Sequence, residues 1–557
     1  MRYPPGVSQS DFDRAVRQFE SAIGADWVFT DEADVDLYRD AYSPLWGEEE
    51  EKIPSIALAP QSAAEVQSLM AICNEFQIPV YPVSTGKNLG YGGSAPVLTG
   101  SVVLDLKRMN RIIEVNEENA FALVEPGVSY FDLYNYIQEQ GLDLWIDCPD
   151  PGWGSLIGNS LDHGVGYTVN PYRDHFEAHC GMEVVLADGD IVRTGMGALP
   201  NAETWQQYRW GYGPWMDGLF AQSNFGVVTK MGFWLSPAPE AFRSGSVQVM
   251  KYNDVHELVR ITAKMMYSGI LNSNAGVQSP MQFAIGQNPE MQERYDRANE
   301  EDIRILDEFA LSNNTPFWSS QFKFYGPREI VDSSWEYVKR QFADIDGVRY
   351  QDQESLNFPM PYEELMQTAD ENHLGVPSMS VFQLGNRSNF NPAGTNGHLG
   401  FSPVVPMTGE AVLESNKVLG KVLREMGGNT VFNVPPYSYH QRTFTILVGF
   451  TVSRDADVNR KTRKIFRELV KVAAEHGWGE YRTHTAFMDD CAAAYSFNDN
   501  ALLRLQQTLK DAIDPKGIIS AGRYGIWPKH IRDEEGKGIA AVNVNKGDKE
   551  KKGDNNA

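Results

Sequence analysis

The chain has 557 residues, 42% apolar, 11% aromatic and 22% charged, the balance of a soluble globular protein too long for one compact core. A formal net charge of -25 repels nucleic-acid backbones and anionic membrane surfaces, and no Lys/Arg stripe offsets it. Four scattered cysteines without CxxC spacing exclude a zinc site and a disulfide framework.

The opening MRYPPGVSQSDF lacks the basic start and apolar core of an export signal, so a cytoplasmic protein that neither spans nor binds a membrane is expected. The acidic run Glu48 to Glu51 reads as a solvated loop, because consecutive carboxylates do not converge on a metal ion. Ser62 followed by Glu65 predicts a helix start, and Val66, Leu69, Met70 and Cys73 carry the helix over 62–75. A short apolar run, QIPVYPV, leads into the glycine-rich PVSTGKNLGYGGSAP at 82–96 and then the strand-like SVVLDL at 101–106. Further strands are predicted at AFALVEPG, MEVVLADG and FGVVTKMGFWL, each closed by Gly or Asp-Gly.

Pro-rich SPAPEAF at 236–242 breaks the composition and predicts a domain boundary at 242. Beyond it, amphipathic AVLESNKVLGKVLREMG and RKTRKIFRELVKVAAEHG alternate with β-rich FTILVGFTV, a second α+β domain over 243–477. The tail 536–557, poor in large apolar residues, is expected to be disordered.

The loop at 82–96 carries four glycines directly after a strand, so its amides can cradle a pyrophosphate, although it is neither a Walker motif nor GxGxxG. It is followed by GNSLDHGVGYT, GMEVVLADG, RTGMGALP, WGYGPWMDGLFAQSNFGVVTKMGFWLSP, GWGEYRTH and DPKGIISAGRYGIWP. In order and spacing these segments resemble the vanillyl-alcohol oxidase / p-cresol methylhydroxylase family of flavoproteins. The resemblance is weakest over about 243–395.

The resemblance implies an α+β, two-domain FAD-binding fold in which residues 1–242 and 478–535 form the FAD domain and 243–477 a substrate-facing cap. Ser84, Thr85, Gly86, Lys87, Asn88, Gly90, Gly92 and Gly93 match the loop under the FAD pyrophosphate. Asn159, Gly164, Gly166 and Tyr167 match the next flavin-contacting segment, Glu183 and Val184 a following strand, Val228 the one after, and Arg523 the C-terminal motif near the cofactor.

By the same resemblance, Tyr91, Tyr481 and Arg482 hold a para-substituted phenol as phenolate, since three donors at one oxygen lower its pKa. The phenolate pushes electrons to its para position, and hydride leaves the benzylic carbon for flavin N5 through a p-quinone methide. Asp150 matches the active-site carboxylate that manages the benzylic centre, with Asp147 as its nearest competitor. His398, in NGHLGFSP, matches the histidine that tethers FAD covalently, although WGEEEEKIPSIALAP carries acids where that branch has assisting histidines. Pro149 leans towards O2 as oxidant, giving hydrogen peroxide, and a homodimer or larger homo-oligomer is expected. The alternative is a hydroxylating dehydrogenase passing electrons to a cytochrome, which the absence of CxxCH places on a separate subunit. Further rivals are a 2-hydroxy-acid or sugar dehydrogenase, and a catalytically retired binding protein.

Overall fold

Short, fully buried apolar strands build the N-terminal part. In a computed structural model, which describes residues 3–535 apart from 171, 366, 368–370, 382–396 and 429–435, four strands form a first sheet. Its order is Val28–Phe29, Ala57–Leu58, Val102–Asp105, Val80–Val83, and the last three run parallel. The crossover between Ala57–Leu58 and Val80–Val83 is helix Ala63–Phe76, which buries Val66, Leu69, Met70, Ile72 and Cys73. Ser62 caps it by accepting the Glu65 N–H at 3.2 Å, while the Glu65 carboxylate turns to the Gln61 N–H at 2.8 Å. The expected tail at 536–557 lies outside the described residues.

A second, antiparallel sheet has the order Ile112–Asn116, Phe121–Val124, Val227–Trp234, His179–Val185, Ile191–Arg193. The third, of eight strands, gathers chain from Ala241–Val249 through to Gly479–Glu480 and is paired antiparallel where register is defined. Helix Arg328–Phe342 packs on its strands Ala241–Val249 and Trp318–Gly326, with Trp318 and Trp335 buried completely. Strand Ala241–Val249 starts inside the Pro-rich break, so that segment enters a sheet instead of linking two bodies loosely.

FTILVGFTV is not one strand. Thr443–Ile446 belongs to the eight-stranded sheet and Val448–Val452 pairs with Gly397–Phe401, the switch falling at Leu447. The acidic run is solvated only in its middle: Glu49 and Glu50 are exposed, whereas Glu48 pairs with Arg460 and Arg463 and Glu51 is buried against Arg39 at 2.9 Å.

The C-terminal segment returns to the first sheet, where Val80 N donates to Ile518 O at 2.7 Å and Ser520 N to Val80 O at 2.8 Å. Lys510, wholly buried, holds this return by donating to Asp514, Asn224 O and Ile519 O, each at 2.7 Å. No described helix is long and apolar enough to cross a membrane.

Candidate active site

A cavity of about 600 Å³ opens between the first sheet, the glycine-rich loop, helix Leu156–Leu161, the Gly397–Phe401 ladder and the C-terminal return. Its wall includes the predicted Ser84, Thr85, Gly86, Lys87, Asn88, Gly90, Gly93, Asn159, Tyr167, Val228, His398 and Arg523, together with Tyr91, Asp150 and Arg482. Residues far apart in the chain therefore meet at one place, the Tyr91 hydroxyl accepting from Arg482 across 391 residues.

Six expected residues do not line it. Tyr481 sits behind Arg482, its ring 5.7 Å from the guanidinium carbon, and its carbonyl accepts from Gln222 at 2.9 Å. Gly92 faces Thr485, where a Cβ would come within 2.6 Å of the threonine methyl. Gly164 and Gly166 leave room for the side chains of Asn159 and Asp147. Glu183 is consumed by Lys230 at 2.6 Å and Arg193 at 2.8 Å, and Val184 is wholly buried in the apolar core beneath.

At one end Arg482 donates to the Tyr91 hydroxyl at 3.1 Å and stacks 4.1 Å from the Tyr91 ring, with its Nε buried and unpaired among the described residues. Burial raises the Tyr481 hydroxyl to about 12 against the pull of Arg482, so it stays a neutral phenol. Glu480, next in chain, is pushed up to about 8 by burial, opposed by the backbone N–H groups of Ser402 and Arg482.

Asp150 accepts from Tyr167 Oη at 2.9 Å and from Asn372 Nδ2, which fixes the carboxylate plane. Its competitor Asp147 does not line the cavity, because Thr168 and His175 take up its oxygens. His398 packs edge-on against Tyr42 with ring centroids 5.0 Å apart, and burial lowers its imidazole to about 4. Its Nδ1 is buried without a partner among the described residues, so a neutral, nucleophilic nitrogen is available. Gly90 lets the loop approach this strand: a Cβ there would stand 3.0 Å from His398 O, and its φ is +86°.

Among the wall residues that sequence reasoning did not assign, Asp162 is a buried carboxylate. Asp162 receives Arg523, accepts from Tyr524 Oη at 2.9 Å and faces Asn88 Nδ2 at 3.4 Å. Burial alone would raise its carboxyl, but the charge and hydrogen bond of Arg523 outweigh it and hold Asp162 below the ordinary carboxylate value. The pair spans 361 residues, so nothing in GNSLDHGVGYT alone points to Arg523.

The profile described as an FAD binding domain matches residues 54–195, and that of the C-terminal domain of FAD linked oxidases matches 439–524. Along nearly its whole length the chain is 34% identical to the flavoprotein subunit of 4-cresol dehydrogenase [hydroxylating] from Pseudomonas putida, covering 94% of this chain and 97% of that one. It belongs to the vanillyl-alcohol oxidase / p-cresol methylhydroxylase family. Solved members of this family superpose closely. The 4-ethylphenol oxidase of Gulosibacter chungangensis, with isoeugenol, gives a TM-score of 0.80 at 34% identity over 95% of this chain and 100% of that one. Substrate-bound p-cresol methylhydroxylase gives 0.79 at 32% over 94% and 99%. The chain is thus an FAD-dependent oxidoreductase of the vanillyl-alcohol oxidase / p-cresol methylhydroxylase type.

The wall suits FAD. Asn88 Oδ1, His398 Nδ1 and Arg482 Nε are buried polar atoms without partners among the described residues, which a polar ligand would satisfy. Ser84 to Tyr91 and Gly93 line the cavity with the amides and small residues that a pyrophosphate would need, and Arg482 adds a positive charge beside the neutralised Arg523–Asp162 pair.

Proposed function

We propose that this protein oxidises para-substituted phenols at the benzylic carbon. The carrying observation is the Tyr91–Arg482 pair on the same cavity wall as Asp150. Support comes from relatives named for 4-cresol and 4-ethylphenol.

Tyr91 and Arg482 receive the phenol oxygen and stabilise its anion, with Tyr481 backing Arg482. The anionic oxygen pushes electron density to the para position, and loss of hydride from the benzylic carbon attached there leaves a quinone methide. FAD, when bound, supplies the two-electron acceptor, regenerated by O2 with release of hydrogen peroxide. Asp150, oriented by Tyr167 and Asn372, takes the proton from water adding to the benzylic carbon. Residues 1–242 with 478–535 serve as the cofactor domain and 243–477 as the cap. His398 is the residue that would hold the FAD ring covalently, since its unpaired Nδ1 and lowered pKa keep a neutral imidazole at the cavity wall. His398→Ala should release FAD on acid precipitation, whereas a flavin that stays with the precipitate assigns the bond to another residue.

A second reading sends the electrons to a separate protein, and the description of the Pseudomonas putida relative as a flavoprotein subunit favours it. Oxygen uptake during turnover of 4-ethylphenol decides. Uptake matching substrate consumption supports the oxidase, and turnover only with an added artificial acceptor supports the second reading.

A further inference from the structure

Asn159 lies on helix Leu156–Leu161 and lines the cavity. Behind it Asp147, His175 and Tyr130 are buried in a connected set of hydrogen bonds that the proposed chemistry does not use. Asp147 Oδ1 accepts from Thr168 N at 2.7 Å and from Thr168 Oγ1, and its Oδ2 faces His175 Nε2 at 2.7 Å.

A carboxylate at Nε2 selects the imidazole tautomer with its proton there and leaves Nδ1 as an acceptor. Nδ1 meets the Tyr130 hydroxyl at 3.1 Å and, at short range, the Asn159 amide nitrogen. The same amide nitrogen donates to Tyr130 Oη at 3.1 Å. Only an NH2 group can serve both neighbours, so the orientation of this amide follows from the acid two hydrogen bonds away. The Asn159 oxygen is what remains: it has no hydrogen bond among the described residues, and it lies beside Gly164, where a Cβ would come within 1.9 Å.

We infer that Asp147 and His175 are positioning residues that lock the Asn159 amide with its oxygen towards the cavity, as an acceptor for an N–H of the bound isoalloxazine ring. This rests on FAD as cofactor and is independent of the phenol substrate. Asp147→Asn removes the preference for the Nε2–H tautomer, which allows His175 to present a donor to Asn159 and turn the amide over. His175→Gln keeps the polarity, an amide N–H towards Asp147 and an oxygen towards Asn159, whereas His175→Leu deletes it.

The test titrates full-length apoprotein with an FAD analogue lacking the ring 8-methyl group, so that no tether forms. Asp147→Asn and His175→Leu should each weaken binding about tenfold, roughly one hydrogen bond to a buried group. His175→Gln should bind within about twofold of the unsubstituted chain, and Asp147→Asn should cost nothing further when Asn159 is already Ala. Losses that multiply in the Asp147→Asn/Asn159→Ala double variant, or a Gln that binds as poorly as the Leu, would overturn the proposal. Should Asp147→Asn fail to fold, the His175→Gln and His175→Leu comparison decides alone.

Discussion

A single hydroxyl and a single carboxylate carry the proposed chemistry. Tyr91→Phe deletes the group that takes the Arg482 bond at 3.1 Å, and phenolic inhibitors should then bind about tenfold more weakly. Tyr481→Phe should lose far less, because that side chain stands behind Arg482 outside the cavity wall. Equal losses in an inhibitor titration would contradict this geometry. Asp150→Asn keeps the shape and the Tyr167 contact but loses the base for water addition, so formation of the hydroxylated product should slow by about 10²–10⁴ with FAD still bound. Much of the wall was legible because the glycine-rich loop and GEYRTH are contiguous stretches whose chemistry survives out of context. What sequence could not supply was partnership at a distance: Asp162 with Arg523, Asp150 with Asn372 across 222 residues, and the burial that leaves Glu183 and Val184 off the wall. Whether Asp147 or Asp150 faced the cavity was equally open until Thr168 and His175 were seen to occupy the former.

Elements hold these residues in place through two buried ionisable groups. Lys510, on helix Phe497–Ile513, has no exposed side-chain surface and clamps the C-terminal return to the first sheet. Lys510→Ala leaves Asp514 buried without its cation and should destabilise by about 3–5 kcal/mol in chemical denaturation; a loss under about 1 kcal/mol would contradict the clamp. Glu480, on strand Gly479–Glu480, has a folded pKa of about 8, above its ordinary 4.5, because of burial. The native state therefore holds a proton that the unfolded chain releases, and this contribution to stability, full below about 4.5, is lost as pH rises through about 8. In Glu480→Gln the melting temperature should fall less steeply between pH 5 and 8 than in the unsubstituted chain, and parallel curves would show that Glu480 does not titrate there. Helix Ala63–Phe76 could be read from periodicity, and strands Val80–Val83 and Val102–Asp105 from their apolar runs, since local pattern and final burial agree. FTILVGFTV could not, because its division between two sheets at Leu447 is imposed by the strands it meets.

In the whole molecule, the cavity lies where the first sheet, the second sheet and the Gly397–Phe401 ladder converge, and Arg173 donating to Tyr439 O at 3.1 Å with Asp174 against His440 at 3.2 Å ties the eight-stranded sheet to the segment leading into strand His179–Val185. His440, at the end of strand Tyr437–His440, is one of these ties. The segment assigned to the cap contributes Ser380, Val381 and Leu447 to the wall, and substrate discrimination is expected from such positions. The central claim is that a phenolate, held by Tyr91 and Arg482, is what the cavity oxidises. The most direct measurement is anaerobic bleaching of the flavin by 4-ethylphenol compared with its methyl ether, 4-ethylanisole, which cannot ionise. Rapid bleaching by the phenol and none by the ether is the expected result; bleaching by both at similar rates would contradict the account.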